Sequence, residues 1–332
     1  MQQPAGGQSG PEDADDHDGD AAHAPGTTAP TRAPELALEL TGALPCVRCT
    51  YNLRGLSISG KCPECGTAIR ATILARVDPL AKELQPLYTP KVTAGCLILW
   101  TIGALAAAVA SWVPRAIEAL ERVGPSVSTP GWIAPAILAG ITISALAALA
   151  LIRPHGRIPA WQSWAAAAAC LLYIPLLLTI RHIHTAIDAR DPSPYLDVGG
   201  IDPTRATWRL LAEALLVAIL LLLRPNARVL AARSMVMRTG QVDRQTMLAM
   251  AAAIGVGAVG DVLAIFALPA DGALSDALRI AATLFIGVGS LLVTLGLGSM
   301  VLDTIRLAPV VASPPLALSD VAAPTTRTNP TS

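Results

Sequence analysis

Cys46 and Cys49 are separated by two residues, as are Cys62 and Cys65, and twelve residues lie between the pairs. Two thiolate-bearing turns at that spacing can close on one tetrahedral ion, with Zn–S bonds of about 2.3 Å. Arg48, Arg54 and Lys61 lie beside the cysteines and would offset the double negative charge of a tetrathiolate zinc centre. In Cys62-Pro63-Glu64-Cys65-Gly66 the proline stiffens the turn and the glycine supplies a left-handed position. The first turn carries Thr50 where a glycine would be easier. Tyr51, Leu53, Leu56 and Ile58 alternate with polar residues, which predicts a short hairpin with its apolar face over the metal. So small a head cannot fold on apolar burial alone, and a structural zinc would contribute roughly 10 kcal/mol or more. Disulfides suit this pattern less well than ligands do. Iron in a rubredoxin-like centre uses the same four thiolates, but nothing else in the chain points to electron transfer. A closed four-cysteine shell leaves no open position for water, so the expected cofactor is one structural zinc ion and no catalytic residue is assigned.

A second set of candidates lies inside apolar stretches. Glu213 and Asp261 are ionisable groups at membrane depth, where such groups face protein or water. With Arg209 they predict an intramembrane polar site that relays a proton or holds a cation. The competing expectation pairs Glu213 with Arg209 one turn away and leaves Asp261 protonated and hydrogen-bonded within the bundle. Gly255-x-Gly257-x-x-Gly260 followed by Asp261 spells a dinucleotide-binding fingerprint, but that fingerprint needs a strand before it and a soluble helix after it. Here the flanks are apolar on all sides, so the glycines, like Gly287, Gly289, Gly296 and Gly298, are expected to admit a neighbouring helix. The connection from Arg181 to Asp202 holds His182, His184, Asp188, Asp191, Asp197 and Asp202, read as a solvated acidic loop rather than a metal site. Cys96 and Cys170 read as small apolar fillers. There is no G-x-S-x-G elbow, phosphate-binding loop or H-E-x-x-H, which weighs against an enzyme.

The elements that must carry these residues follow from composition. The chain is 53% hydrophobic and 14% charged, with a mean hydropathy of +0.53, which excludes an ordinary soluble enzyme. Six spans are expected near 92–113, 132–152, 160–180, 203–223, 247–268 and 278–302, each near the roughly 20 residues that cross about 30 Å of hydrocarbon. Asp202 should cap the fourth and Pro203 open it, with Arg205 and Arg209 snorkelling outward. Trp112, Trp132, Trp161, Trp164 and Trp208 fall at span ends, as an interfacial belt would have them. Residues 1–44 hold eight carboxylates against one arginine and read as a disordered acidic tail without the features of a secretory signal. The zinc ribbon occupies 45–67, an amphipathic juxtamembrane linker 68–91, the six-helix domain 92–305 and a disordered tail 306–332. The fold class is thus an all-α membrane bundle of about six helices, preceded by a small zinc-ribbon head with a β-hairpin-like character.

Eleven basic residues fall on one side of the bundle and seven on the other, which predicts a cytosolic N-terminus and ribbon. The string Cys46-x-x-Cys49-x-Tyr51-x-Leu53-Arg54-Gly55-Leu56, then Gly60-x-Cys62-Pro63-Glu64-Cys65-Gly66, resembles the N-terminal zinc ribbon of uncharacterised multi-pass membrane proteins of planctomycete-type bacteria. The resemblance covers only about residues 45–70, departs at Thr50, and implies a bacterial inner-membrane protein without supplying an activity. The leading expectation is therefore a lipid-embedded protein whose cytosolic ribbon is an interaction or assembly module for a protein partner. The alternative is a small transporter or channel using Glu213 and Asp261, and a membrane enzyme comes third. The basic segment 224–244 reads as a topological anchor, no nucleic-acid partner is expected, and the pattern leaves the oligomeric state open.

Overall fold

The computed structural model describes residues 39–77, 86–121, 123–124, 130–190, 202–234, 246–267, 272–313 and 316–321. The chain is a helical bundle carrying a small cysteine-clustered head. Helix α1 spans Ile69–Arg76, and six long helices follow: α2 Pro90–Glu121, α3 Ile133–Ala148, α4 Ala160–His182, α5 Pro203–Ala231, α6 Thr246–Phe266 and α7 Ala273–Ala312. A short helix, α8, covers Leu318–Val321. A 3₁₀ turn prolongs α3 to Leu151 and a π turn prolongs α4 to Ile187. All six long helices are long and apolar enough to cross a bilayer, so this is a multi-pass membrane protein. Their outward side chains are exposed Leu, Ile and Val, among them Leu146, Leu171, Leu178, Leu284 and Leu295. In water such a surface would be untenable, whereas in lipid it is the solvated face.

The six helices touch in the cyclic order α2, α3, α4, α5, α6, α7 and back to α2, forming a closed ring. Lipid gives apolar helices little reason to associate, so close backbone approach must do much of the holding. Glycine provides it at two crossings. A Cβ on Gly103 would lie 2.7 Å from the Gly140 carbonyl oxygen, joining α2 to α3. One on Gly260 would lie 2.7 Å from the Ala282 carbonyl oxygen, and one on Gly289 2.5 Å from the Gly257 nitrogen, joining α6 to α7. Gly257 and Gly260 of the expected packing set, with Gly289 and Gly296, thus meet neighbouring groups, while Gly255, Gly287 and Gly298 face open space. Asp202 caps α5 by accepting the Thr204 N–H at 2.9 Å, and Pro203 stands in the first turn. The helix runs on through Pro225, where buried Asn226 donates to the carbonyls of Leu151 and Ile152 at 2.7 and 3.1 Å. Those acceptors belong to the end of α3, which has no other turn to satisfy them.

Several expectations about the ends of the chain need correcting. Leu40 and Leu44, assigned to the acidic tail, are fully buried in the head with Leu53, Ile69 and Val77. The rest of that tail, including Glu12 to Asp20, lies outside the described residues. Of the expected amphipathic linker, Ile69 and Ile73 pack on the head and Leu87 packs against the bundle core, while Leu80 and Leu84 lie outside the described residues. Within the expected C-terminal tail, α7 continues to Ala312, and the segment 316–321 seats on the head. Leu316 bridges Val77 in parallel, and the Val321 carbonyl accepts the N–H groups of Thr41 and Gly42 at 2.9 and 3.3 Å. Val321 is 1% exposed, so the head's apolar core is completed from the far end of the sequence. The physical reason is that a head of this size lacks enough apolar area of its own.

Candidate functional site

The head is built from two matching knuckles. Gly66 donates its N–H to the Cys62 carbonyl at 2.9 Å and Thr50 to the Cys46 carbonyl at 3.0 Å. Both residues are left-handed, Gly66 at φ 70° and Thr50 at φ 61°. Each knuckle is closed behind by one antiparallel bridge, Lys61 with Ala68 and Pro45 with Asn52. No longer strand forms among the described residues, and Tyr51 of the expected apolar face points outward while Leu53 is fully buried.

The four sulfurs converge. Cys46 Sγ lies 3.6 Å from Cys65 Sγ and Cys49 Sγ 3.5 Å from Cys62 Sγ, and all four lie within 4.8 Å of one another. These separations exceed the S–S bond of about 2.05 Å, and the cysteines are free. A tetrahedron with metal–sulfur bonds of about 2.3 Å places its sulfurs about 3.8 Å apart, so the cluster is spaced to hold one metal ion. The electrostatics agree. The N–H groups of Cys49 and then Arg48 draw the Cys46 thiol down to about 6, and the Thr67 hydroxyl and N–H draw Cys65 down. The Tyr51 N–H pulls Cys49 the same way, but burial and the three neighbouring sulfurs outweigh it and push that thiol up to about 12. Four thiols this close cannot all ionise until a cation neutralises them.

The second candidate set lies within the ring. Arg209 Nε stands 3.3 Å from Asp261 Oδ2, a contact of ion-pair distance without hydrogen-bond alignment. The guanidinium therefore reaches across to α6, and the expected pairing of Arg209 with Glu213 along α5 is not the one formed. Glu213 sits against Gly257, where a Cβ would come 3.1 Å from its Oε1. Glu213 Oε2 is buried without a hydrogen-bond partner. Arg205 does not snorkel. It is 6% exposed and pairs with Asp188 at 3.0 Å, while Asp188 also meets His184 Nδ1 at 2.7 Å. A buried guanidinium next to hydrocarbon needs a carboxylate more than it needs the interface. His182 stacks on Trp208 with centroids 4.5 Å apart, and Asp191 and Asp197 lie outside the described residues.

All six membrane helices line one central cavity of about 310 Å³. Its wall is largely apolar, with Arg209 and Glu213 toward the ends of α5 and α6 remote from the head. Across it, Trp100 Nε1 donates to the Tyr173 hydroxyl at 3.0 Å, and that hydroxyl lies 3.2 Å from Ser144 Oγ. Trp112 Nε1 donates to Thr294 at 2.9 Å, and Arg115 stands 4.9 Å over the Trp112 ring. Sequence reasoning missed Trp100, Tyr173 and Asn226. The available signal was position: Trp100 falls ten residues into its span, too deep for an interfacial belt.

Fold and site together define a class, a six-span membrane bundle with a metal-competent cysteine head. No protein-family model matches this chain, nor does any curated protein or solved structure.

Proposed function

We propose that the chain is a bacterial inner-membrane protein whose head is a cytosolic structural zinc ribbon serving assembly rather than catalysis. The observation that carries this reading is the C-terminal segment seated on the cysteine head, with Val321 in the same apolar cluster as Cys46 and Cys62. One metal ion then ties together the two chain ends that flank the bundle. The face of the ribbon left outside that contact, including Tyr51 and Val47, is the surface for a cytosolic protein partner. Zinc is favoured over iron because the closed tetrathiolate shell has no companion redox feature. The basic excess at the head end and the free cysteines favour the cytosolic placement. The resemblance of residues 45–70 to planctomycete-type ribbons points the same way. Metal analysis of the full chain purified under reducing conditions tests the reading: one zinc per chain is expected, and a ratio near zero overturns it. Crosslinking in native membranes with wild type and Cys62→Ser tests the partner. Loss of a crosslinked protein in the variant is expected, and an unchanged crosslink pattern removes the module role.

A second reading, that of a small transporter or channel, rests on the central cavity with Glu213 in its wall. Solute flux through proteoliposomes that is lost in Asp261→Asn and Glu213→Gln would carry it.

A further inference from the structure

We propose that the notch between the α3–α4 turn and the first turns of α4 binds one anionic phospholipid of the head-side leaflet, its phosphate at Arg153 and its acyl chain along Trp164 and Ala167. The inference uses the membrane fold and is independent of the metal and of the head's role.

The notch has a volume of about 330 Å³. Arg153 and Ser163 form its polar side, and Ile152, Ile158, Trp164 and Ala167 its apolar side. It lies at the head end, because the Tyr88 N–H, just before α2, donates to the Pro154 carbonyl at 3.1 Å. The turn that carries Arg153 is held from two sides: Asn226 bonds the Leu151 and Ile152 carbonyls just ahead of it, and Tyr88 the Pro154 carbonyl just after. Trp164 is 76% exposed, and Leu171, seven residues further down α4, is exposed on the same side. Ala167 stands seven residues below Ala160, about 10 Å down the helix at 1.5 Å per residue. The wall thus runs from the interface into hydrocarbon, so its occupant must be amphipathic.

Charge selects the head group. No Asp or Glu occurs between Glu121 and Asp188, and among the described residues neither Arg153 nor Arg157 is in an ion pair. Arg233 adds a third positive charge close enough to bear on His155 in the same turn. No side chain caps α4 at its first residue, Ala160, so the positive end of the helix adds to the same field. In the notch wall Ser163 Oγ is buried without a hydrogen-bond partner and has a hydrogen bond to give. A phosphodiester brings both the negative charge and the acceptor oxygens, and basic pockets on transmembrane helices at this level suit anionic head groups.

The test reconstitutes the full chain into nanodiscs of phosphatidylcholine with a fixed fraction of phosphatidylglycerol, one lipid at a time brominated on its acyl chain so that it quenches tryptophan on contact. Quenching owed to Trp164 is the difference made by Trp164→Phe in each background. The relative affinity of the Trp164 site for phosphatidylglycerol over phosphatidylcholine is expected to be at least about five-fold. Arg153→Gln should lower it by about five-fold, the factor for one basic side chain at a membrane surface. Ala160→Asp should lower it too, and because a carboxylate at a helix start favours the helix, that loss with an unchanged or raised Tm is not a failure to fold. Arg306→Gln, which removes an exposed arginine of α7 outside the notch, should leave the preference unchanged. A preference indifferent to Arg153, or lowered equally by Arg306→Gln, overturns the inference in favour of diffuse attraction. Absence of Trp164 quenching by either lipid means that protein covers the notch, and also overturns it. Loss of the preference in millimolar inorganic phosphate, but not in chloride of the same ionic strength, makes the occupant a soluble anion and overturns the lipid assignment.

Discussion

Thr50 shows how a single residue can be held against its own preference. A β-branched side chain at φ 61° sits where the backbone favours glycine, and the matching knuckle has glycine in that place. Left-handed backbone costs a non-glycine residue about 1–2 kcal/mol. Thr50→Gly is therefore expected to strengthen the head by about 1 kcal/mol, read as a higher chelator concentration at half-release of metal. Gly66→Thr should weaken it by a similar amount. The ion pair inside the ring behaves differently, because Asp261 is buried in the bundle and Arg209 is largely covered. Asp261→Ala leaves the Arg209 guanidinium without its carboxylate and should cost about 3–5 kcal/mol in a denaturant titration, with much of the loss recovered in the Arg209→Met, Asp261→Leu double variant. His155, in the connection between α3 and α4, supplies a pH dependence. Burial, then the nearby Arg233 charge, holds its imidazolium below the ordinary value. A depressed histidine favours the neutral form on folding, so the stability it permits is complete above about 6.5 and falls as pH drops through the lowered value. Thermal unfolding should show that loss on acidification, and His155→Gln should flatten it.

At the scale of helices, small residues decide where backbones meet. Gly255 and Gly260 belong to one sequence motif, yet only Gly260 has α7 against it. Gly260→Ala should force α6 from α7 and lower stability, whereas Gly255→Ala should be neutral or gain up to about 1 kcal/mol from helix propensity. Equal effects at the two positions would mean that the α6–α7 crossing is not as described. Polar groups hold the remaining contacts. Trp100 with Tyr173 and Trp112 with Thr294 each join helices far apart in sequence, and such bonds contribute about 0.6–1.7 kcal/mol in membrane proteins. Asn226 does comparable work at the head end, where it closes the carbonyl terminus of α3 from a position beyond Pro225.

For the whole molecule, the ring and the head are linked by the chain's two ends. The head lies between the start of α2 and the end of α7, and its apolar cluster takes Leu316 and Val321 from beyond α7. Truncation after Ser313 should expose Leu40, Val77 and their neighbours and make metal release by chelator easier. Removal of metal should in turn increase protease cleavage within 316–321, because the cluster that seats this segment contains Cys46 and Cys62. Unchanged cleavage after complete metal removal would separate the cysteine centre from the C-terminal contact. The ring itself should stay intact in that experiment, since its helices close on one another without the head.

Local patterns were legible from the residues alone. Two C-x-x-C pairs specify a convergent thiolate cluster because the knuckle is a property of five consecutive residues. Apolar runs of membrane length specify six helices because unpaired backbone is intolerable in lipid. The cap at Asp202 and Pro203 was readable for the same reason of nearness. Tertiary structure alone decided which carboxylate Arg209 would take, since Glu213 one turn away and Asp261 on another helix were equally available on paper. It also decided that Arg205 turns inward to Asp188, and that six spans close into a ring around a cavity. It seated residue 321 against residue 41, where sequence composition had suggested only a tail. Those outcomes depend on which helix faces which, and helix spacing repeats every 3.6 residues without naming a neighbour. Neighbours in this molecule were selected by close glycine contacts, by the cost of stranded buried charge, and by an undersized head that needed apolar area from elsewhere in the chain.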